Sequence, residues 1–123
     1  MTIVHAGPGP VLTDERAALD LMADHGFPTW LLVPVERLPE EFFKLRTGVA
    51  GAVVQKFVNY NVKLAVVGDL SARIAASPTL ADFVREANRW RQLWFVASEA
   101  AFHTKLAGPG QPPATRSPNL ATG

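Results

Sequence analysis

Cysteine is absent from this chain. Its absence excludes a disulfide framework, a thiolate zinc site and a cysteine nucleophile, which removes half of the usual catalytic and metal constellations. An excess of charge is missing too: twelve lysines and arginines stand against eleven aspartates and glutamates, for a formal net charge of +1. That balance supplies no field for gripping nucleic acid or an anionic membrane, so neither is an expected partner. No apolar run approaches the roughly 20 residues of a membrane span, and the opening MTIVHAGPGP holds neither a basic leader nor a long apolar core. The expected location is cytoplasmic. The histidines are few, and His5, His25 and His103 fall on separate predicted elements without H-x-x-x-H or H-x-H spacing, so neither a metal nor a cofactor is expected. His5 becomes a candidate pocket donor only if its strand is central. Nucleotide signatures are lacking as well: Gly68 has no G-x-G-x-x-G context, and residues 48–51 lack the lysine and hydroxyl pair of a P-loop.

What is present suffices for one core. At 123 residues and 48% hydrophobic content, the chain fits a single domain of ordinary size. It is organised around VKLAVVGD, residues 62–69, an apolar run ending in a glycine and a carboxylate. Such a run does not alternate with polar residues, which predicts a central strand covered on both faces, as in a parallel sheet with helices on either side. Ligands of open parallel sheets collect beyond the carboxyl ends of the strands, which places Asp69 and the following Ser71 and Arg73 at the candidate functional edge.

Residues 2–5 predict a short first strand, ended by Gly7-Pro8-Gly9-Pro10. Thr13 is the expected cap of a helix that ends at Gly26 and buries Ala18, Leu19, Met22 and Ala23. Residues 30–35 form a second strand, with Pro34 at a sheet edge or already leaving the sheet. A single helical turn over 38–43 precedes a longer helix from Thr47-Gly48 to about Tyr60. Its Val49, Val53, Phe57 and Tyr60 and its Ala50, Val54 and Val58 make it apolar around most of its circumference. The stripe Gly48, Gly51, Ala52 and Gln55 is nearly free of side chains, which predicts that these small residues either admit another element closely or line a cavity. Ser77 caps and Pro78 starts a third helix that buries Leu80, Phe83, Val84 and Ala87. Residues 92–97 form a fourth strand, and Ser98 caps a last helix to about Leu106. Residues 107–123, dense in proline, glycine and small polar residues, are expected to be a disordered tail beyond a 1–106 domain. The predicted class is α/β: a small single domain with a largely parallel sheet of four to five strands and helices packed on it.

RTGVAG at residues 46–51, QKFVNY at 55–60 and KLAVVGD at 63–69 are the most specific parts of a stretch, residues 17–97, that resembles the DUF4180 family of small bacterial proteins. The resemblance implies a fold similar to STAS or SpoIIAA-like domains, small α/β units used mostly for partner binding and regulation. Several positions depart from the family pattern. Members typically open with a β-hairpin, where this chain has Gly7-Pro8-Gly9-Pro10, so the sheet edge is expected to be shortened. An acidic residue is usual where Lys44 stands, an arginine at Asn61, a serine at Ala87 and a glycine at Trp90.

Four groups are candidate site residues, most with a structural alternative. Arg46, Thr47 and Gly48 open the second long helix, where free N–H groups, the positive dipole end and a fixed cation suit a carboxylate or phosphate. The alternative is a capped helix whose Arg46 pairs with Glu40 or Glu41. Glu36 and Asp69 are expected at one strand-end edge near Ser71 and Arg73, where paired carboxylates can do acid–base work. The alternative for Asp69 is a cap on its own turn. Ser71 is also a candidate for phosphorylation beside Arg73. Trp90 either walls a pocket, covers the shortened sheet edge or makes a dimer contact.

These residues fit a STAS-like binding or regulatory domain that is a homodimer and holds a small anionic ligand at the C-terminal sheet edge. The alternative is a cofactor-independent isomerase, cyclase or lyase. In it Glu36 or Asp69 is general acid or base, and Arg46 orients an anionic or enolic small molecule. An enzyme needs a closed, partly apolar pocket with a titrating group; an interaction domain needs an exposed apolar patch.

Overall fold

The computed structural model describes residues 1–108, so the tail expectation for 109–123 lies outside the described residues. The chain alternates strands and helices. β1 (Ile3–His5) leads to α1 (Glu15–Asp24), and β2 (Trp30–Pro34) leads through a 3-10 turn (Val35–Arg37) to the one-turn α2 (Glu40–Phe43). A second 3-10 turn (Leu45–Thr47) precedes α3 (Val49–Asn59) and β3 (Lys63–Val67). Two helices follow, α4 (Ser71–Ala76) and α5 (Pro78–Ala87), and then β4 (Leu93–Val96) and α6 (Glu99–Ala107). The four strands pair in the order β1-β2-β3-β4, and every pairing is parallel. This is the α/β class that the apolar strands predict, with four strands.

Each crossover steps to the next strand in one direction, so crossovers of the usual right hand put their helices on one face. Leu31, Val33, Leu64, Val66, Leu93 and Phe95 supply that face of the sheet. Against them pack Leu21 and Met22 of α1, Phe42 of α2, Val53 and Phe57 of α3, and Leu80 and Val84 of α5. The opposite face consists of Trp30, Leu32, Ala65, Trp94 and Val96, and Phe102 of α6 covers it. The rings of Trp30 and Trp94 lie 4.4 Å apart, and Phe102 meets Trp30 edge-on at 5.2 Å. Ala65, paired across the ladder with Trp94, is small enough to leave the space over β3 that these rings fill. Both faces of β3 are covered, as the unbroken apolar run requires. The cover is unequal, with α6 alone on the second face among the described residues.

Several local expectations change. Asp14 rather than Thr13 caps α1, its carboxylate accepting the Ala17 N–H at 2.9 Å. The buried face of α1 is Ala18, Leu21 and Met22; the bulkier Leu21 takes the core, and Ala23 stays exposed. On α3 only Ala50, Val53 and Phe57 are buried, whereas Val58 and Tyr60 each keep 43% of their surface. Much of this helix meets water. The two glycines of the small-residue stripe have no close neighbour, since a Cβ on Gly48 or Gly51 would meet nothing within 4 Å, and Gly48 and Ala52 line an open groove. Gly48 is used for its backbone instead: at φ +80° it joins the 3-10 turn to α3. Residues 71–76, for which the sequence predicts no element, fold as α4. The caps of α5 and α6 are as predicted, with Ser77 accepting from Leu80 N–H and Ser98 from Ala101 N–H.

Candidate functional site

At the C-terminal edge of β3, Gly68 and Asp69 lead into α4. The Asp69 carboxylate accepts from the Ser71 N–H at 2.9 Å and from the Ser71 hydroxyl at 2.6 Å. These bonds, the hydroxyl's first and the backbone's second, hold its pKa below the ordinary aspartate value against a small opposing effect of burial. Asp69 and Ser71 stand at the mouth of a cleft of about 240 Å³ walled by Leu70, Ile74, Val84 and Phe95. Glu36 is exposed on the 3-10 turn after β2 and is not among the residues lining that cleft. Arg73 turns away towards α2: its Nη2 donates to Glu40 at 2.6 Å, and its guanidinium lies 4.3 Å from the Phe43 ring centre. The hydrogen bond lowers the Glu40 pKa and raises that of Arg73, which keeps both groups charged.

Thr47 and Gly48 stand at a different place. The Thr47 hydroxyl lies 2.6 Å from the Glu41 carbonyl and 2.8 Å from the Lys44 carbonyl, and accepts the Val49 N–H at 3.3 Å. It ties the end of α2 to the start of α3. A groove of about 390 Å³ runs between the starts of α3 and α1, lined by Thr47, Gly48, Val49 and Ala52 on one side and residues 13–16 on the other. Arg46 faces another groove, with Phe43, Lys44, Ser77 and Thr79, and makes no ion pair among the described residues. The expected partner Glu40 is taken by Arg73. Thus Asp69 is bonded to Ser71, and Glu36 follows the same strand-end edge, each two residues past the Pro34–Val67 pair, without lining the Asp69 cleft; Arg73 is drawn to Glu40, Arg46, Thr47 and Gly48 border other grooves, and Trp90 lies elsewhere.

Trp90 lies at the opposite, N-terminal edge of the sheet, 66% exposed. It is not alone there. Phe27 precedes β2 by three residues, Tyr60 precedes β3 by three, and Trp90 precedes β4 by three. Phe27 and Tyr60 are 44% and 43% exposed, and their rings stack at 5.5 Å. The Trp90 backbone carbonyl accepts from the indole N–H of buried Trp94, which fixes the turn that presents the exposed ring. The β4 edge beside it is closed by Asn88, whose side chain accepts the Phe95 N–H at 2.7 Å and donates to the Phe95 carbonyl at 3.3 Å. Lys105, its pKa lowered first by burial and then by Arg91, donates to the Asn88 carbonyl at 2.8 Å.

Two groupings escaped the sequence reading. Arg37, only 8% exposed, donates to the carbonyls of Pro10 at 2.7 Å and Gly7 at 2.6 Å, so the Gly-Pro turn wraps a buried cation. On the second sheet face, His5 at the end of β1 meets Glu99 at the start of α6 at 3.1 Å, and His103 lies 3.6 Å from the same carboxylate oxygen. The Glu99-x-x-x-His103 spacing on one helix was the visible signal; the contribution of His5 was not.

No helix among the described residues is long and apolar enough to cross a membrane. Comparison with curated proteins and with solved structures finds no match. The family profile of a domain of unknown function, DUF4180, matches residues 1–106, and the chain belongs to that family.

Proposed function

We propose that this domain is a non-enzymatic, STAS-like binding module that associates with a second copy of itself through the N-terminal edge of its sheet. The observation behind this reading is the row of exposed aromatics, Phe27, Tyr60 and Trp90, one on each turn entering β2, β3 and β4. Phe, Tyr and Trp offer about 150–250 Å² each, so their exposed fractions sum to roughly 300 Å² of aromatic surface along one sheet edge. Patches of that size on soluble domains are commonly functional. A stable interface takes about 800 Å² per partner, so pairing through this patch and its rim is weak and concentration-dependent. The net charge of +1 leaves almost no repulsion between copies. Strand addition is the less favoured geometry, because Asn88 closes the β4 edge and β1 offers only three residues.

The enzyme alternative has weaker support. Asp69 is engaged with Ser71, Glu36 is exposed and lines no cleft with it, and Arg46 faces a separate groove. The anionic ligand expected at the C-terminal edge is not retained, since Arg73 is paired with Glu40 and a carboxylate guards the cleft mouth. Sedimentation from about 10 μM to 1 mM tests the reading. We expect a monomer–dimer equilibrium that Trp90→Ser weakens at least about tenfold, as for a central aromatic anchor. A chain that stays monomeric throughout, or a dimer indifferent to Trp90→Ser, rules it out.

A further inference from the structure

We propose that His5, Glu99 and His103 form a binding site for a divalent first-row transition ion of the zinc type. The three residues come from two elements far apart in the chain: His5 ends β1, while Glu99 and His103 lie one turn apart on α6. One ligand atom from each falls within 4.8 Å of the other two. The Glu99 carboxylate oxygen is 3.1 Å from Nε2 of His5 and 3.6 Å from Nε2 of His103. Ligand bonds of about 2.1 Å at tetrahedral angles require ligand atoms about 3.4 Å apart. The two carboxylate–imidazole separations straddle that edge length, and the two imidazoles, whose ligand atoms lie within 4.8 Å of each other, would close by up to about 1.4 Å to bind one ion, a side-chain movement that half-exposed residues can make.

The donor set selects the ion class. Two imidazoles and one carboxylate suit zinc and its neighbours, whereas calcium and magnesium favour all-oxygen shells and copper(I) favours sulfur. Three protein ligands leave a coordination position open to water or a small donor. His5 and Glu99 also border a cleft of about 150 Å³ with Leu32, Pro34 and Val67 in its wall, which gives an added ligand a place beside the ion. All three side chains are about half exposed, at 46%, 59% and 51%, so an ion reaches them without opening the fold. The ion would also tie β1, the edge strand, to α6, the cover of the second face.

The test titrates the tag-free chain with zinc by calorimetry and with cobalt(II) by visible absorption. We expect one ion per chain and the intense visible bands of four- or five-coordinate cobalt. His5→Ala, Glu99→Gln and His103→Ala each weaken zinc at least about tenfold, since losing even an outer-shell partner commonly costs 10–100-fold. His25→Ala, on a different element, leaves the affinity unchanged. Zinc raises the Tm of the native chain by several degrees and that of Glu99→Gln by much less, with the metal-free melting points of the two alike. The proposal is overturned by the absence of saturable binding below about 1 mM zinc, or by binding that survives Glu99→Gln and His103→Ala unweakened.

Discussion

Gly68 is the position where one methyl group should cost most. It follows β3 at φ +150°, and a Cβ there would lie 2.5 Å from Cγ1 and 2.9 Å from Cβ of Val35. Neither side has room to retreat. The Gly68 N–H donates to the Val96 carbonyl at 2.9 Å, which pins it to β4, and Val35 packs partly buried against the main core at the end of β2. In Gly68→Ala the positive φ costs about 1–2 kcal/mol and the overpacking about 1–3 kcal/mol, a total of about 2–5 kcal/mol. Small domains have about 5–15 kcal/mol in all, so this is a large share. Urea unfolding followed by circular dichroism should show a lower midpoint with an unchanged slope. Val35→Ala removes the 2.5 Å contact but not the 2.9 Å one. A double-mutant cycle should therefore return about 1–2 kcal/mol of favourable coupling and leave the backbone strain in place. A loss below about 1 kcal/mol in Gly68→Ala, or a cycle without coupling, refutes the reasoning.

Arg37→Met should destabilise the domain by about 2–3 kcal/mol. It removes two charge-assisted hydrogen bonds to Gly7 and Pro10 worth about 1.5–3 kcal/mol each, partly offset because water reaches the exposed turn. Arg37→Lys should recover less than half, because an ammonium lacks the fork that reaches both carbonyls; equal proteolysis of residues 7–10 in native and Arg37→Met chains counts against this. Asp69 should contribute to the acid limb of stability. Its folded pKa lies below the unfolded one, so its stabilisation is complete above the ordinary aspartate range and is lost as pH falls through the lowered value. Asp69→Asn and Ser71→Ala should both flatten the fall of Tm below about pH 4; an unchanged acid limb in both shows that the Asp69–Ser71 bonds do not persist in solution.

The sequence by itself determined the four strands, most of the helices and the caps of α5 and α6, though not α4 or the cap of α1. Ser77 before Pro78 and Ser98 before Glu99 satisfy helix-end N–H groups within three residues, and the apolar runs of β2, β3 and β4 demand cover on both faces whatever their neighbours. The Asp69–Ser71 bonds were equally legible, as a local cap two residues long. Tertiary structure alone decided what lies beside what. Periodicity says that a strand is buried but not how the side chains at its end are shared out, so that Arg73 turns to Glu40 and Glu36 stays out of the Asp69 cleft did not follow from their strand-end positions. The same lateral freedom hid three other groupings. Arg37 closes on carbonyls about 30 residues earlier, His5 meets α6 across the second sheet face, and Phe27, Tyr60 and Trp90 share one edge because three successive parallel strands begin there. Caps and strand runs are short-range energies, written in a few adjacent residues. Strand order and the faces it brings together are sums over the whole core, and no single stretch of chain contains them.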